Sequence, residues 1–164
     1  MLLAGKAGKR ATRRGVTLIE MMIVVMLVSL MVGITFPAVT SGLDSLRLNS
    51  ASDAVAGAFN MALNRADRRQ TAVELVIDSR RNRILLASAE PGFQRVVDLP
   101  DGVRILNVLP EQPLSENAIR QFLVFPGGTV PRIGVVLLNR RGATRTVSVD
   151  PITGAPRIEA GSAP

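Results

Sequence analysis

Arg13-Arg14-Gly15-Val16-Thr17-Leu18-Ile19-Glu20, continued by Met21-Met22-Ile23-Val24-Val25-Met26-Leu27-Val28, is the stretch that decides how this chain is read. A basic segment stops at a glycine, and an apolar one starts at once. Residues 1–15 hold Lys6, Lys9, Arg10, Arg13 and Arg14 and no acid, while Glu20 is the single ionisable side chain from Val16 to Val39. A helix over residues 16–39 spans about 36 Å, enough for a hydrocarbon core of about 30 Å. The positive cluster stays on the cytoplasmic side, so the chain emerges with its C-terminus outward.

Three readings compete for this segment. A cleaved secretory signal has the basic start, but its apolar run is usually shorter, and Ala38-Val39-Thr40-Ser41 is a poor cleavage site. A plain single-span anchor fits the length. Both leave Glu20 unexplained. A carboxylate in a bilayer costs up to about 2.5–3.5 kcal/mol at the helix centre, and it is retained for a function that supplies a partner.

Gly15-Val16-Thr17-Leu18-Ile19-Glu20 resembles the processing motif of type IV pilins and type II secretion pseudopilins. The resemblance implies that prepilin peptidase cuts between Gly15 and Val16 on the cytoplasmic face and that the new amino terminus is methylated. It implies further that the amine of one subunit meets the Glu20 carboxylate of a neighbour as helices stack into a filament. A paired charge in lipid is far cheaper than a lone one. The family most often has phenylalanine after the cut, where this chain has Val16. Pro37 matches the helix-kinking proline that the family often carries, although a bend leaving the membrane accounts for it equally. The implied partners are prepilin peptidase, other pilin or pseudopilin subunits and an inner-membrane assembly platform. The implied location is the bacterial inner membrane, single-pass, with a periplasmic C-terminal domain; in the assembled filament it is periplasmic or extracellular.

Removal of residues 1–15 changes the charge argument. The whole chain carries 20 basic and 13 acidic side chains, for a net +7. Five of the basic groups are in the leader, which leaves 15 against 13 in the mature chain. Bulk charge therefore says little about nucleic acid. A local excess remains, since residues 120–164 hold Arg120, Arg132, Arg140, Arg141, Arg145 and Arg157 against Asp150 and Glu159.

Chemistry is bounded tightly. The chain has no cysteine and no histidine, and Lys6 and Lys9 are its only lysines. Thiol chemistry, Cys-ligated metals and disulfide staples are excluded. The usual general base and commonest metal ligand are absent, as is a mature Schiff-base lysine. Asp98 and Asp101 flank a proline turn and Asp150 precedes another, and turn aspartates ordinarily bond their own backbone. The chain reads as a non-enzyme with no cofactor and no metal.

Past the apolar run, Leu48, Ser52, Val55, Phe59, Ala62 or Leu63, and Ala66 recur at three- and four-residue spacing. This predicts a helix from about Val16 to Arg69, weakened by Gly33, Pro37 and Gly42, whose outer half lies on a sheet. After Gln70 the period becomes that of strands. Residues 72–77 and 83–87 flank a polar turn and predict a hairpin. Residues 93–99 and 103–108 predict a second pair around Pro100-Asp101-Gly102. Residues 109–117 read as a loop, followed by strands at 121–125, 134–139, 144–149 and near Arg157-Ile158.

The expected architecture is α+β and pilin-like: a long N-terminal membrane helix packed on an antiparallel β-sheet domain. Its parts are a cleaved basic leader (1–15), a transmembrane and assembly helix (16–39), the outer half of the helix (40–70), an antiparallel β domain (71–159) and a disordered tail (160–164).

The outer domain resembles the GspH/FimT group of minor pseudopilins. Ala62-Leu63-Asn64-Arg65-Ala66 through Val73-Glu74-Leu75, Phe125-Pro126-Gly127-Gly128 with Gly134-Val135-Val136-Leu137-Leu138, and Thr146-Val147-Ser148-Val149 to Gly154-Ala155-Pro156-Arg157 carry the likeness. The group implies two functions. One is a minor subunit of a periplasmic type II secretion pseudopilus for protein export. The other is a minor type IV pilin that binds DNA for uptake through a C-terminal Gly-Arg-x-Arg sequence. Here that sequence reads Gly154-Ala155-Pro156-Arg157, so the first arginine is missing. Arg140, Arg141, Arg145 and Arg157 are the nucleic-acid contacts left to that second reading. Base stacking would fall to phenylalanine, since Tyr and Trp are absent. Arg140-Arg141-Gly142 is also an ordinary solvated hairpin turn, and export is preferred over DNA.

Overall fold

The switch from helical to strand period near Gln70 is where the backbone changes hand. The computed structural model describes residues 16–88, 90, 92–111, 118–128 and 130–161. Helix α1 covers Leu18–Arg69. It starts just after Thr17, whose hydroxyl accepts the Glu20 N–H at 3.3 Å and whose carbonyl accepts the Met21 N–H at 3.3 Å. A side-chain acceptor there satisfies one of the orphan donors of the first turn. The helix ends at Gln70, which turns left-handed (φ 52°) and donates from its side chain to the Asp67 carbonyl at 2.7 Å. Arg68 and Arg69 lie in the last turn, where cations complement the helix dipole.

Two compact units divide the chain, residues 1–39 and 40–164. In the first, the large apolar side chains from Val16 through Phe36 are all 47–82% exposed. The helix containing them is long and apolar enough to cross a membrane.

In the second unit the predicted stripe forms the centre of the core. Leu48, Ser52, Val55, Phe59, Ala62 and Ala66 are buried, and Leu63 is half-buried against them. Ser52 resolves its own polarity by donating to the Leu48 carbonyl at 2.8 Å.

Eight strands follow: β1 (Val73–Asp78), β2 (Arg83–Ser88), β3 (Gln94–Asp98), β4 (Val103–Leu109), β5 (Ile119–Val124), β6 (Gly134–Asn139), β7 (Thr144–Val149) and β8 (Pro156–Ala160). They make two antiparallel four-stranded sheets rather than one, ordered β3-β2-β1-β5 and β4-β6-β7-β8. Alternation puts Val73, Leu75 and Ile77 of the first sheet, and Val135, Leu137, Val147 and Val149 of the second, into one core with the outer half of α1.

The predicted β1–β2 hairpin forms, in register from Val73–Ser88 to Asp78–Arg83. The predicted pairing of residues 93–99 with 103–108 does not. β3 pairs with β2, and β4 pairs with β6. The cause is Asn82, in the β1–β2 turn. Its side chain donates to the Val103 carbonyl at 2.7 Å and accepts the Ile105 N–H at 2.9 Å. Its carbonyl accepts the Leu99 N–H at 3.1 Å. One turn residue thus holds both ends of the Pro100-Asp101-Gly102 link and steers the chain into the second sheet.

The final strand runs further than the domain boundaries anticipate. β8 reaches Ala160, and Gly161 donates its N–H to the Thr144 carbonyl at 3.0 Å. A Cβ on Gly161 would lie 2.3 Å from the Thr144 hydroxyl, so this close approach requires glycine. Residues 160 and 161 are therefore paired chain, and the rest of the expected tail lies outside the described residues.

Candidate functional site

The apolar run and its single carboxylate define the first site. With Thr17 as the cap, Glu20 is the third residue inside the helix. Thr17-Leu18-Ile19-Glu20 is the Thr-x-x-Glu pattern of a capping box, a signal present in the sequence that the motif reading passes over. Both side chains stand at the positively polarised end of α1, which lowers the cost of a carboxylate there. Among the described residues Glu20 makes no ion pair. Val16, expected to become the new amino terminus, is 66% exposed just before the helix. Gly15 and the rest of the leader lie outside the described residues. Pro37 falls within the bounds of α1, just before the division between the two compact units at Val39.

The arginines singled out for nucleic acid do not converge. Arg140 and Arg141 sit in the β6–β7 turn, built by Asn139, whose side-chain oxygen accepts the N–H groups of Arg141 (3.0 Å) and Ala143 (2.9 Å). Gly142 supplies the left-handed residue (φ 85°). Arg140 lies over Gly102, just ahead of β4 on the neighbouring strand, its Nε 3.0 Å from where a Cβ would stand. Arg141 is turned toward α1, with its Nε 3.9 Å from the Asp44 carboxylate, which Arg47 also approaches at 3.8 Å.

Arg145 and Arg157 are separated by the sheet itself. Arg145 is in register with Leu137 and Ala160, so it shares the face of Val147 and the core. Arg157 is opposite Ser148, and its side chain leaves from the other face. There it binds Asp150 at 2.8 Å. That carboxylate also accepts the N–H groups of Ile152 (2.9 Å) and Thr153 (3.1 Å). These bonds, and after them the Arg157 charge, hold Asp150 below the usual carboxylate range. Arg157 is therefore one side of a turn-closing pair, and Ala155 lies within that same turn, its N–H bonded to the Thr153 hydroxyl at 3.3 Å. Among the described residues no three acidic side chains gather as a metal site.

Comparison with known proteins agrees at both ends of the chain. The family described as "Prokaryotic N-terminal methylation motif" matches residues 10–36. The fold is similar to that of the minor pseudopilin EpsH from the Type 2 Secretion System of Vibrio cholerae, with a TM-score of 0.54 at 11% identity over 70% of this chain and 97% of that one. The type IV minor pilin FimU of Pseudomonas aeruginosa gives 0.48 at 13% identity over 71% of this chain and 89% of its own. No curated protein matches the sequence. The fold is thus similar to that of a pseudopilin, a long N-terminal helix whose outer half packs on antiparallel sheets. With the methylation motif ahead of it, the chain is type IV pilin-like.

Proposed function

We propose that this chain is a minor subunit of a type II secretion pseudopilus, a part of a protein-export machine and not a catalyst. Prepilin peptidase removes residues 1–15 and methylates Val16. The helix over residues 16–39 holds the subunit in the inner membrane with its C-terminal domain in the periplasm, Pro37 bends it on leaving, and the assembly platform passes it into the filament. Glu20 then neutralises the amine of a neighbouring subunit. The observation that carries this reading is the placement of the methylation motif: over residues 10–36 it covers the exposed apolar start of α1, a segment whose one carboxylate, Glu20, stands in the first turn. The DNA-uptake reading has no surface of comparable coherence, since Arg145 and Arg157 leave the second sheet from opposite faces and Arg141 and Arg157 each face an acid.

The test is Glu20→Ala in cells that make the filament. Mass spectrometry of the amino terminus should find cleavage between Gly15 and Val16 intact, and sheared filament fractions should lack the subunit. Normal incorporation of the variant would refute the pairing role of Glu20.

A further inference from the structure

The exposed side of α1 carries a groove of about 550 Å³ that none of the roles above uses. Its floor follows one helical stripe, Gly57, Met61, Asn64 and Arg68, with Arg65 and Arg69 beside it. Phe93, just ahead of β3, is the facing wall. Arg65 joins the two sides: its guanidinium lies 4.2 Å from the centre of the Phe93 ring and binds Glu90 at 2.6 Å. The groove is thus a braced feature.

We propose that this groove receives a carboxylate-bearing segment of a neighbouring filament subunit, an inference that rests on the assembly role proposed above. Three arginines stand at positions i, i+3 and i+4 of one helix, where like charges repel, and among the described residues Glu90 is the one acid that pairs with any of them, through Arg65. Arg68 and Arg69 are exposed and have no ion pair among the described residues. The helix dipole tolerates them but neutralises little of three full charges. An incoming carboxylate supplies what is missing. The floor narrows the choice of anion. Met61 is 37% exposed, and a Cβ at Gly57 would meet no atom within 4 Å, so a partner's backbone can approach closely there. A phosphate chain would engage the cations and leave Met61 and Phe93 without an apolar counterpart. A protein segment with an apolar side chain beside its acids answers both halves.

The chain has no cysteine, so one introduced thiol reports on one place. Full-length Met61→Cys would be treated with a maleimide in three forms: purified in detergent, in cells lacking prepilin peptidase, and in filaments. Ile152→Cys, at a position 92% exposed, is the reference. The groove thiol of Met61→Cys in filaments should react about tenfold more slowly than in the other two forms, the protection given by a partner at roughly ten times its dissociation constant. The reference thiol should react alike in all three. Adding Arg68→Glu and Arg69→Glu should restore reactivity at position 61. Asn64→Cys, on the polar edge of the same groove, is the second reporter, should a thiol at 61 itself disturb docking. Equal reactivity of both groove thiols in incorporated subunits would overturn the proposal, and so would protection that a nuclease removes. Absence of every variant, the reference included, from filaments would overturn the assembly reading and this one together.

Discussion

The Thr17 hydroxyl accepts the backbone N–H of Glu20 at 3.3 Å, so the residue that starts the helix also positions the carboxylate on which assembly is proposed to depend. A threonine cap is worth about 1 kcal/mol against alanine. In an apolar medium the freed N–H has no water to replace it, which raises the penalty. Thr17→Ala should therefore reduce incorporation into filaments while leaving peptidase cleavage intact, and Thr17→Ser should restore it. The measurement is the ratio of filament-bound to membrane-bound subunit for each variant. An unaffected alanine variant would show that Glu20 needs no support from the cap.

Asn82 has three tasks at one position. It is left-handed (φ 54°), and its amide satisfies the Val103 carbonyl and the Ile105 N–H. Asn82→Ala loses two hydrogen bonds at about 0.5–1.5 kcal/mol each and adds about 1–2 kcal/mol of left-handed strain. The total of roughly 2–5 kcal/mol is a large share of a small domain's stability. Asn82→Gly should recover the strain and not the bonds, giving an intermediate denaturation midpoint. Urea unfolding of residues 40–164, a compact unit with its own core, ranks the three proteins. Equal midpoints for Ala and Gly would remove the strain contribution.

The gap between sequence and fold has the same source. Helical and strand periods are local, and the stripe from Leu48 to Ala66, the β1–β2 hairpin and the strands β6 to β8 are legible because each is fixed by neighbours in sequence. The division into two sheets is not local. It is set by a turn amide reaching 21 residues ahead, and Pro100-Asp101-Gly102 looks like a hairpin turn whether or not its flanks pair. The methylation motif is legible because a basic stretch, a glycine and an apolar run with one carboxylate are all local in sequence. The arrangement of the arginines is not local: Arg145 and Arg157 lie on neighbouring strands, and their faces depend on a register that composition cannot supply. Gly161 gave no sign of its contact with Thr144 because glycine in a terminal segment has an ordinary look.

Asp150 makes the stability of the last hairpin depend on acid. Its folded pKa lies below the ordinary carboxylate value, because the Ile152 and Thr153 N–H groups and then Arg157 favour the charged form. The stabilisation is complete above the unfolded value of about 4 and is lost as pH falls through the lower folded value. Asp150→Asn retains an oxygen for the two N–H groups but has no charge to lose. The melting temperature of residues 40–164 should therefore fall more between about pH 5 and about pH 2 in the wild type than in the variant. Parallel curves would mean that the charge at 150 contributes nothing to the fold.

The same pair bears on whether DNA is a ligand. A surface that tracks phosphates loses affinity with salt at a slope of about −0.9 per contact on duplex DNA, and each arginine removed lowers that slope by about one contact. Arg157 is already held by Asp150, Arg141 faces Asp44, and Arg145 leaves the second sheet from the face opposite Arg157. Charge reversals at 140, 141, 145 and 157 should therefore act independently, and no set of them should remove a common steep slope. Residues 40–164 titrated with duplex DNA across a salt series, as wild type and as each single variant, decide this. A slope near four contacts that falls stepwise with each reversal would require these side chains to leave their present partners and gather on one surface, and it would move the chain from export to DNA uptake.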